Sequence, residues 1–93
     1  MGHAGAQVEI PRYRCHKEVR ALKIASIHPN HPACVLPGDA MLTPADTMYA
    51  PFLVRRAYIE KHNPQAGGYY VVYTDGYTSF SPAQAFDEGY TRI

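Results

Sequence analysis

The side chains best suited to bind a metal are two cysteines and three histidines. They form an adjacent pair, Cys15-His16, and a spaced set, His28-x-x-His31-x-x-Cys34. Thiolate and imidazole ligands suit zinc, but two prolines interrupt the spaced set and the chain contains no Cys-x-x-Cys pair. A polar loop with a small buried thiol explains these residues better than a zinc site. We therefore predict neither a metal nor a cofactor.

Catalytic groups are equally sparse in the sequence. For Cys15 or Cys34 to act as a nucleophile, a histidine must lie beside the thiol, but adjacent residues such as Cys15 and His16 point to opposite faces of a strand. Asp87 and Glu88 are neighbours near a predicted helix end, where solvated carboxylates are common. Walker, dinucleotide-binding, His-Glu-x-x-His and Gly-x-Ser-x-Gly motifs do not occur. We therefore expect a protein that is not an enzyme.

Aromatic residues carry the strongest functional signal. The chain has eight tyrosines, three phenylalanines and no tryptophan. A tyrosine ring can stack on a base, and nearby basic side chains can bind phosphate. The alternative is that tyrosines on strands pack in the core or pair across strands. The predicted ligand-binding residues are Tyr70, Tyr77, Arg55, Arg56, Tyr73, Ser79 and Lys61.

Composition limits the class of protein. A chain of 93 residues with 46% hydrophobic and 18% charged residues fits one folded domain. The net charge of +1 argues against a general DNA- or membrane-coating protein. No apolar run approaches the length of a membrane span, and no secretion signal is evident. We predict a cytoplasmic protein with a flexible arm over residues 1–12 and a single domain over residues 13–93.

The first two thirds of the chain predict short elements. Residues 13–27 have ambiguous periodicity, and their good helix formers make a helix the alternative. We predict a long strand there because a lone hairpin elsewhere needs a third strand. Five prolines between residues 28 and 51 exclude long regular elements. Within that segment, Thr43-Pro44-Ala45-Asp46 predicts one helical turn. A short helix is predicted from Arg55 to His62, where Asn63-Pro64 follows.

The last third predicts a hairpin. Residues 69–74 and 77–80 are rich in aromatic and β-branched residues and flank Asp75-Gly76, which favours a type I′ turn. That turn would pair Thr74 with Tyr77 and Val72 with Ser79. The predicted core face carries Tyr69, Val71, Tyr73, Thr78 and Phe80. The predicted outer face, the better candidate for ligand contact, carries Tyr70, Val72, Thr74, Tyr77 and Ser79.

A short helix should follow the hairpin. Ser81-Pro82-Ala83-Gln84 has the form of a capping box, and the permissive φ of Gly89 suits the end of the helix. We expect Phe86 to pack on the sheet. The predicted fold is α+β, with a small bent antiparallel sheet or SH3-like partly open barrel and one or two short helices.

Residues 58–93 resemble the end of a family of small phage and prophage proteins. In that family a segment Tyr-x-Val-x-Tyr-x-Asp-Gly-Tyr-x-Ser-(Phe/Trp)-Ser-Pro-x-x-(Ala/Val)-Phe closes the chain, and residues 69–86 fit it. Residues 13–17 and 21–24 also resemble the family. The resemblance covers roughly half of the chain. It implies a viral accessory protein and supplies no catalytic residues.

Analogy with small early phage proteins predicts a role against host defence. The leading hypothesis is a homo-oligomer that sequesters a nucleotide-derived immune signal, such as a cyclic oligonucleotide or cyclic ADP-ribose, in the host cytoplasm. One alternative is an inhibitor that binds a host defence enzyme, as anti-CRISPR proteins do. Another is a small nucleic-acid-binding regulator, against which the near-neutral charge argues.

Overall fold

The computed structural model describes residues 9–14 and 18–92 of the chain. These residues form one curled antiparallel sheet, a half-barrel, with two short helices against it. This architecture confirms the predicted α+β class. The strands are β1 (Arg12–Arg14), β2 (Glu18–Pro29), β3 (Ala40–Pro44), β4 (Phe52–Val54), β5 (Tyr69–Tyr73), β6 (Thr78–Ser81) and β7 (Thr91–Arg92), and the helices are α1 (Arg56–His62) and α2 (Ala83–Gly89).

Strand β2 organises the sheet because it is 12 residues long and has different partners along its length. Its first half lies between β1 and β5, and its second half pairs with β3. The sheet then continues outward from β3 to β4, from β5 to β6 and from β1 to β7. The register with β3 shifts between Ile24 and Ser26, as at a β-bulge. A bulge bends its strand, which explains how one long strand follows the curvature of the sheet.

Both faces of β2 are buried, which explains its ambiguous periodicity. Val19 and Ala21 point to one face, where they join Phe86 of α2 in a buried cluster. Ile24 points to the other face and packs with Leu42 and Val54 in a second cluster, which α1 covers with Tyr58 and Ile59. A strand that is buried on both sides shows no simple apolar–polar alternation. The predicted strand over residues 13–27 is therefore confirmed from Glu18 onward, but its start is wrong, because Tyr13 and Arg14 lie in β1, which pairs antiparallel with the beginning of β2.

The helical turn predicted after Thr43 is wrong. Pro44 ends strand β3 and is buried, and the Ala45 N–H donates to the carbonyl of Lys23 at 2.8 Å. The Asp46 carboxylate then accepts the N–H of Met48 at 2.9 Å. An aspartate that bonds the backbone two residues further on stabilises a turn rather than a helix. The short helix α1 is found where it was predicted, and it ends at Asn63, which has a left-handed conformation.

The hairpin exists, but its predicted turn type and register are wrong. Val71 pairs with Ser79 and Tyr70 pairs with Phe80, one residue away from the predicted pairing. The loop has three residues, and only Gly76 in it has a positive φ, of 91°. A type I turn followed by a left-handed glycine is the usual three-residue hairpin loop. Because side chains alternate, this slip moves Phe80 from the predicted core face to the face of Tyr70.

The predicted capping box of α2 does not form. Pro82 occupies the N-cap position without a side-chain hydrogen bond, and the Gln84 amide donates instead to Glu88 at 3.2 Å. Gly89 is the last helical residue rather than a left-handed cap, because Tyr90 ends the helix in an extended conformation. The prediction that Phe86 packs on the sheet is confirmed, since its side chain is buried. Packing of this ring therefore stabilises the helix in place of a cap.

The predicted flexible arm lies mostly outside the described residues. In its described part, residues 9–12, Arg12 begins β1, and residues 9 and 10 bond to the rest of the chain. The Tyr49 hydroxyl donates to the carbonyl of Glu9 at 2.6 Å, and Arg20 donates to the carbonyl of Ile10 at 3.0 Å. These bonds hold residues 9 and 10 close to β2 and to the loop before β4.

Candidate functional site

Helix α1 lies against the β5–β6 hairpin and brings several predicted ligand residues together. The Tyr58 hydroxyl donates to the carbonyl of Ser79 at 2.7 Å, which fixes the helix on β6. Ser79 thus contacts α1 through its backbone carbonyl, and it pairs with Val71 in the sheet. The last turn of α1 then lies beside the hairpin loop.

Tyr77, Tyr73, Lys61 and His62 form one group at this position, here called the tyrosine–lysine surface. The rings of Tyr73 and Tyr77 stack with centroids 5.8 Å apart and an angle of 25°. The Lys61 ammonium lies 5.0 Å from the Tyr77 centroid, a cation–π distance. The Tyr77 side chain is 45% exposed. Three of the predicted ligand residues therefore meet on an exposed surface.

His62 belongs to this surface although it was not among the predicted ligand residues. Its ring lies 4.9 Å from the ring of Tyr58 and 6.0 Å from that of Tyr77. The Tyr77 hydroxyl and the His62 Nε2 atom are 3.4 Å apart. The i, i+4 spacing of Tyr58 and His62 on a predicted helix could have indicated that their side chains are neighbours. The contact with Tyr77 depends on tertiary packing.

Tyr70 was predicted on the outer face, and this placement is wrong. Its ring is half-buried between Phe52, at 4.9 Å, and Tyr58, at 5.5 Å. Burial raises the pKa of Tyr70, and a hydrogen bond with the Thr78 side chain partly offsets that rise. Strand β4, which supplies Phe52, pairs with β3 and not with β5. Closure of the sheet by β4 and α1 therefore covers a face that the isolated hairpin would expose.

Arg55 and Arg56 have structural partners. The buried Asp39 carboxylate accepts the Arg55 guanidinium at 2.9 Å and the backbone N–H of Arg56 at 3.0 Å. Asp39 thereby supplies the anion that α1 lacks at its own N-terminus, where neither a capping side chain nor an acidic residue is present. The Arg56 side chain lies 3.7 Å from Glu60. Sequence alone could not pair Asp39 with Arg55, because 16 residues separate them.

The spaced histidines and Cys34 do not form a metal site among residues 9–14 and 18–92, where no three ligating side chains converge. The rings of His28 and His31 are 6.5 Å apart. The Nδ1 atom of His31 accepts the N–H of Ala33 at 3.0 Å, which leaves its proton on Nε2 in the neutral ring. Cys15 and His16 lie outside the described residues.

No protein-family model matches the chain, and no curated protein or solved structure shows significant similarity to it. The function is therefore argued from the site. In the described part of the chain, no helix is long and apolar enough to cross a membrane.

Proposed function

We propose that this protein is a non-enzymatic binding protein that sequesters a nucleotide-derived signal on the tyrosine–lysine surface. The observation that carries the proposal is the contact of the Lys61 ammonium with the exposed Tyr77 ring, 5.0 Å from its centroid. A base that stacks on this face of Tyr77 displaces the ammonium. The displaced Lys61 is then free to bind a phosphate of the same ligand.

The charge distribution favours a small ligand over a nucleic acid polymer. A chain with a net charge of +1 lacks the basic surplus that binds a phosphate backbone. Locally, however, Lys61 and His62 follow one another in the last turn of α1, and the neighbouring Glu60 is paired with Arg56. One or two phosphates suit such a surface better than an extended backbone.

The biological role follows from the resemblance to small phage proteins. Capture of a cyclic oligonucleotide or of a cyclic ADP-ribose isomer would deplete an immune signal in the host cytoplasm. Capture needs no catalytic group, in agreement with the sparse catalytic residues of the sequence.

Isothermal titration with cyclic dinucleotides, cyclic trinucleotides and cyclic ADP-ribose isomers tests the proposal. We expect one class to bind, and we expect Tyr77→Leu to weaken binding by about 5- to 150-fold, since a stacked base contributes about 1–3 kcal/mol. Lys61→Gln should also weaken binding. Lys23→Gln is the matched control, because the Lys23 ammonium lies 5.5 Å from the Tyr69 ring, away from this surface. Absence of binding across the panel would reject the proposal.

We also propose that the protein acts as a homo-oligomer. A domain of this length buries a smaller fraction of its unfolded-chain surface than a larger domain does, so it gains stability by self-association. Native mass spectrometry, with and without the bound nucleotide, should show a multiple of the 10.4 kDa protomer. A nucleotide-bound monomer would contradict the oligomer while it leaves the binding proposal standing.

The second candidate function is inhibition of a host defence enzyme by direct contact. It is favoured by an apolar loop tip between β2 and β3, where Val35 is 81% and Leu36 is 56% exposed. Exposed apolar neighbours often contact a protein partner. A stoichiometric partner retained from host lysate without nucleotide, and lost in a Val35→Asp/Leu36→Asp variant, would favour this function over sequestration.

A further inference from the structure

A second candidate site lies on the sheet face of Leu22, Tyr70 and Val72. A cavity of about 350 Å³ opens there, with Tyr49 and Phe52 as aromatic walls and with Ile10 and Ala50 at its edge. Leu22 is the direct cross-strand neighbour of Tyr70. Every wall side chain is apolar or aromatic, and an apolar lining of this kind suits an apolar ligand group.

Hydrogen bonds position one wall of this cavity. Residues 9 and 10 are held in place by the bond from Tyr49 to the Glu9 carbonyl and by the bond from Arg20 to the Ile10 carbonyl. The Ala21 N–H also donates to the carbonyl of Pro11 at 3.0 Å. The wall that carries Ile10 is therefore positioned by its backbone and does not need to collapse onto the sheet. A pre-formed wall lowers the cost of ligand binding.

A polar cavity adjoins the apolar one. Its volume is about 290 Å³, and it is lined by Arg55, Tyr58, Thr78 and Tyr70, together with Leu53 and Val54 of β4. Tyr70 lines both cavities, so an apolar compartment lies next to a compartment with a guanidinium and hydroxyl groups. Neither lining contains an aspartate or a glutamate.

The charge of the polar compartment favours a monoanion. Arg55 uses one nitrogen for Asp39, at 2.9 Å, and a guanidinium has five N–H donors. The remaining donors match the two oxygens of a carboxylate. Because Asp39 already offsets part of the positive charge, a singly charged carboxylate fits better than a doubly charged phosphate.

We infer that the two cavities beside Tyr70 form one binding site for a small arylalkyl carboxylate, with the aryl group among Leu22, Phe52 and Val72 and the carboxylate at Arg55. This site is separate from the tyrosine–lysine surface. Its ligand belongs to a different chemical class from the proposed nucleotide.

Titration of the protein with 4-phenylbutyrate, followed by amide NMR shifts, tests the inference. We expect saturable shifts at Leu22, Val72 and Thr78 at millimolar or lower concentration. The neutral analogue 4-phenylbutan-1-ol should bind about tenfold more weakly, since a hydrogen bond to a charged group is worth more than a neutral one. Equal affinity of the two compounds would overturn the role of Arg55, and absence of saturable shifts would overturn the site.

Variants that fill the cavity give a second test. Val72→Phe places a larger side chain in the apolar compartment and should abolish 4-phenylbutyrate binding. Ala50→Leu also places a larger side chain at the apolar compartment. Because Ala50 lies in an exposed loop, this variant tests the site even if Val72→Phe fails to fold. Ala85→Leu, on the exposed side of α2, is the matched control and should bind normally. Binding that persists in Ala50→Leu would contradict the location of the site.

One further variant separates the two proposals. Tyr77→Leu should leave 4-phenylbutyrate binding unchanged while it weakens nucleotide binding. If nucleotides fail to bind but 4-phenylbutyrate does, only the proposed function is rejected.

Discussion

The backbone N–H of Tyr73 donates to the carbonyl of Tyr77 at 2.9 Å, and this pair sets the register of the β5–β6 hairpin. The Gly76 N–H donates to the carbonyl of Tyr73 at the same distance and closes the turn. The two tyrosine rings stack as a consequence of this pairing. The turn therefore determines the shape of the proposed nucleotide surface.

Gly76→Ala should destabilise the protein by about 1–2 kcal/mol, because a Cβ atom disfavours a left-handed conformation. No atom lies near the added methyl group, so the cost is conformational. Gly89→Ala is the control, since Gly89 is helical and alanine there should stabilise the protein by about 0.5–1 kcal/mol. Urea unfolding of both variants measures the difference. An unchanged free energy of unfolding for Gly76→Ala would contradict the assigned turn.

Asp39→Ala should cost about 1–3 kcal/mol of stability, because it removes the acceptor for Arg55 and for the first N–H of α1. Because the Arg55 side chain is exposed, solvent weakens its ion pair with Asp39. This weakening accounts for the lower end of the range. The control is Glu60→Gln, which breaks only the exposed contact with Arg56 and should change stability by less than about 0.5 kcal/mol. Chemical denaturation followed by circular dichroism measures both. Equal effects would show that Asp39 does not anchor the helix.

The protein should lose stability above about pH 10. Burial, followed by the hydrogen bond to Asp87, raises the pKa of Tyr69 to about 12, and burial also raises the pKa of Tyr58 and Tyr70. In the unfolded chain these phenols ionise near pH 10, so the unfolded state releases protons that the folded state retains. The free energy of unfolding is therefore unaffected by these groups below pH 10 and falls as the pH rises toward 12.

Urea unfolding at several alkaline pH values measures this loss, and phenolate absorbance follows the ionisation. Tyr69→Phe removes one of the titrating groups and should reduce the slope between about pH 10 and 12. The same slope in Tyr69→Phe and in the unchanged protein would contradict the role of Tyr69.

Phe86→Ala should destabilise the protein by about 3–5 kcal/mol, because this ring is fully buried and its loss leaves a cavity. The ring stacks on Tyr69 at 4.1 Å and on Tyr90 at 4.5 Å, so it joins α2 to the sheet. Gln84→Ala, on the exposed side of α2, is the control and should change stability by less than about 0.5 kcal/mol. A loss of more than 1 kcal/mol in Gln84→Ala would indicate that a capping box forms after all.

Local sequence was sufficient to predict those elements whose signals lie within a few residues. The Asn63-Pro64 stop ends α1, and the aromatic runs on either side of Asp75-Gly76 form a hairpin. Phe86 packs on the sheet, as its position in the short helix predicts. For the candidate site, the prediction found Tyr73, Tyr77 and Lys61, which the structure brings together.

The other features depend on contacts between residues far apart in sequence. Asp75-Gly76 is compatible with both a two-residue and a three-residue loop, and a difference of one residue exchanged the faces of β6. The burial of Tyr70 required β4 to close over it, and the anchoring of Arg55 required Asp39 from a different loop. Local propensities determined that strands, a hairpin and short helices form, whereas packing across the curled sheet decided which side chains remain exposed, because burial depends on the neighbours that the whole chain supplies.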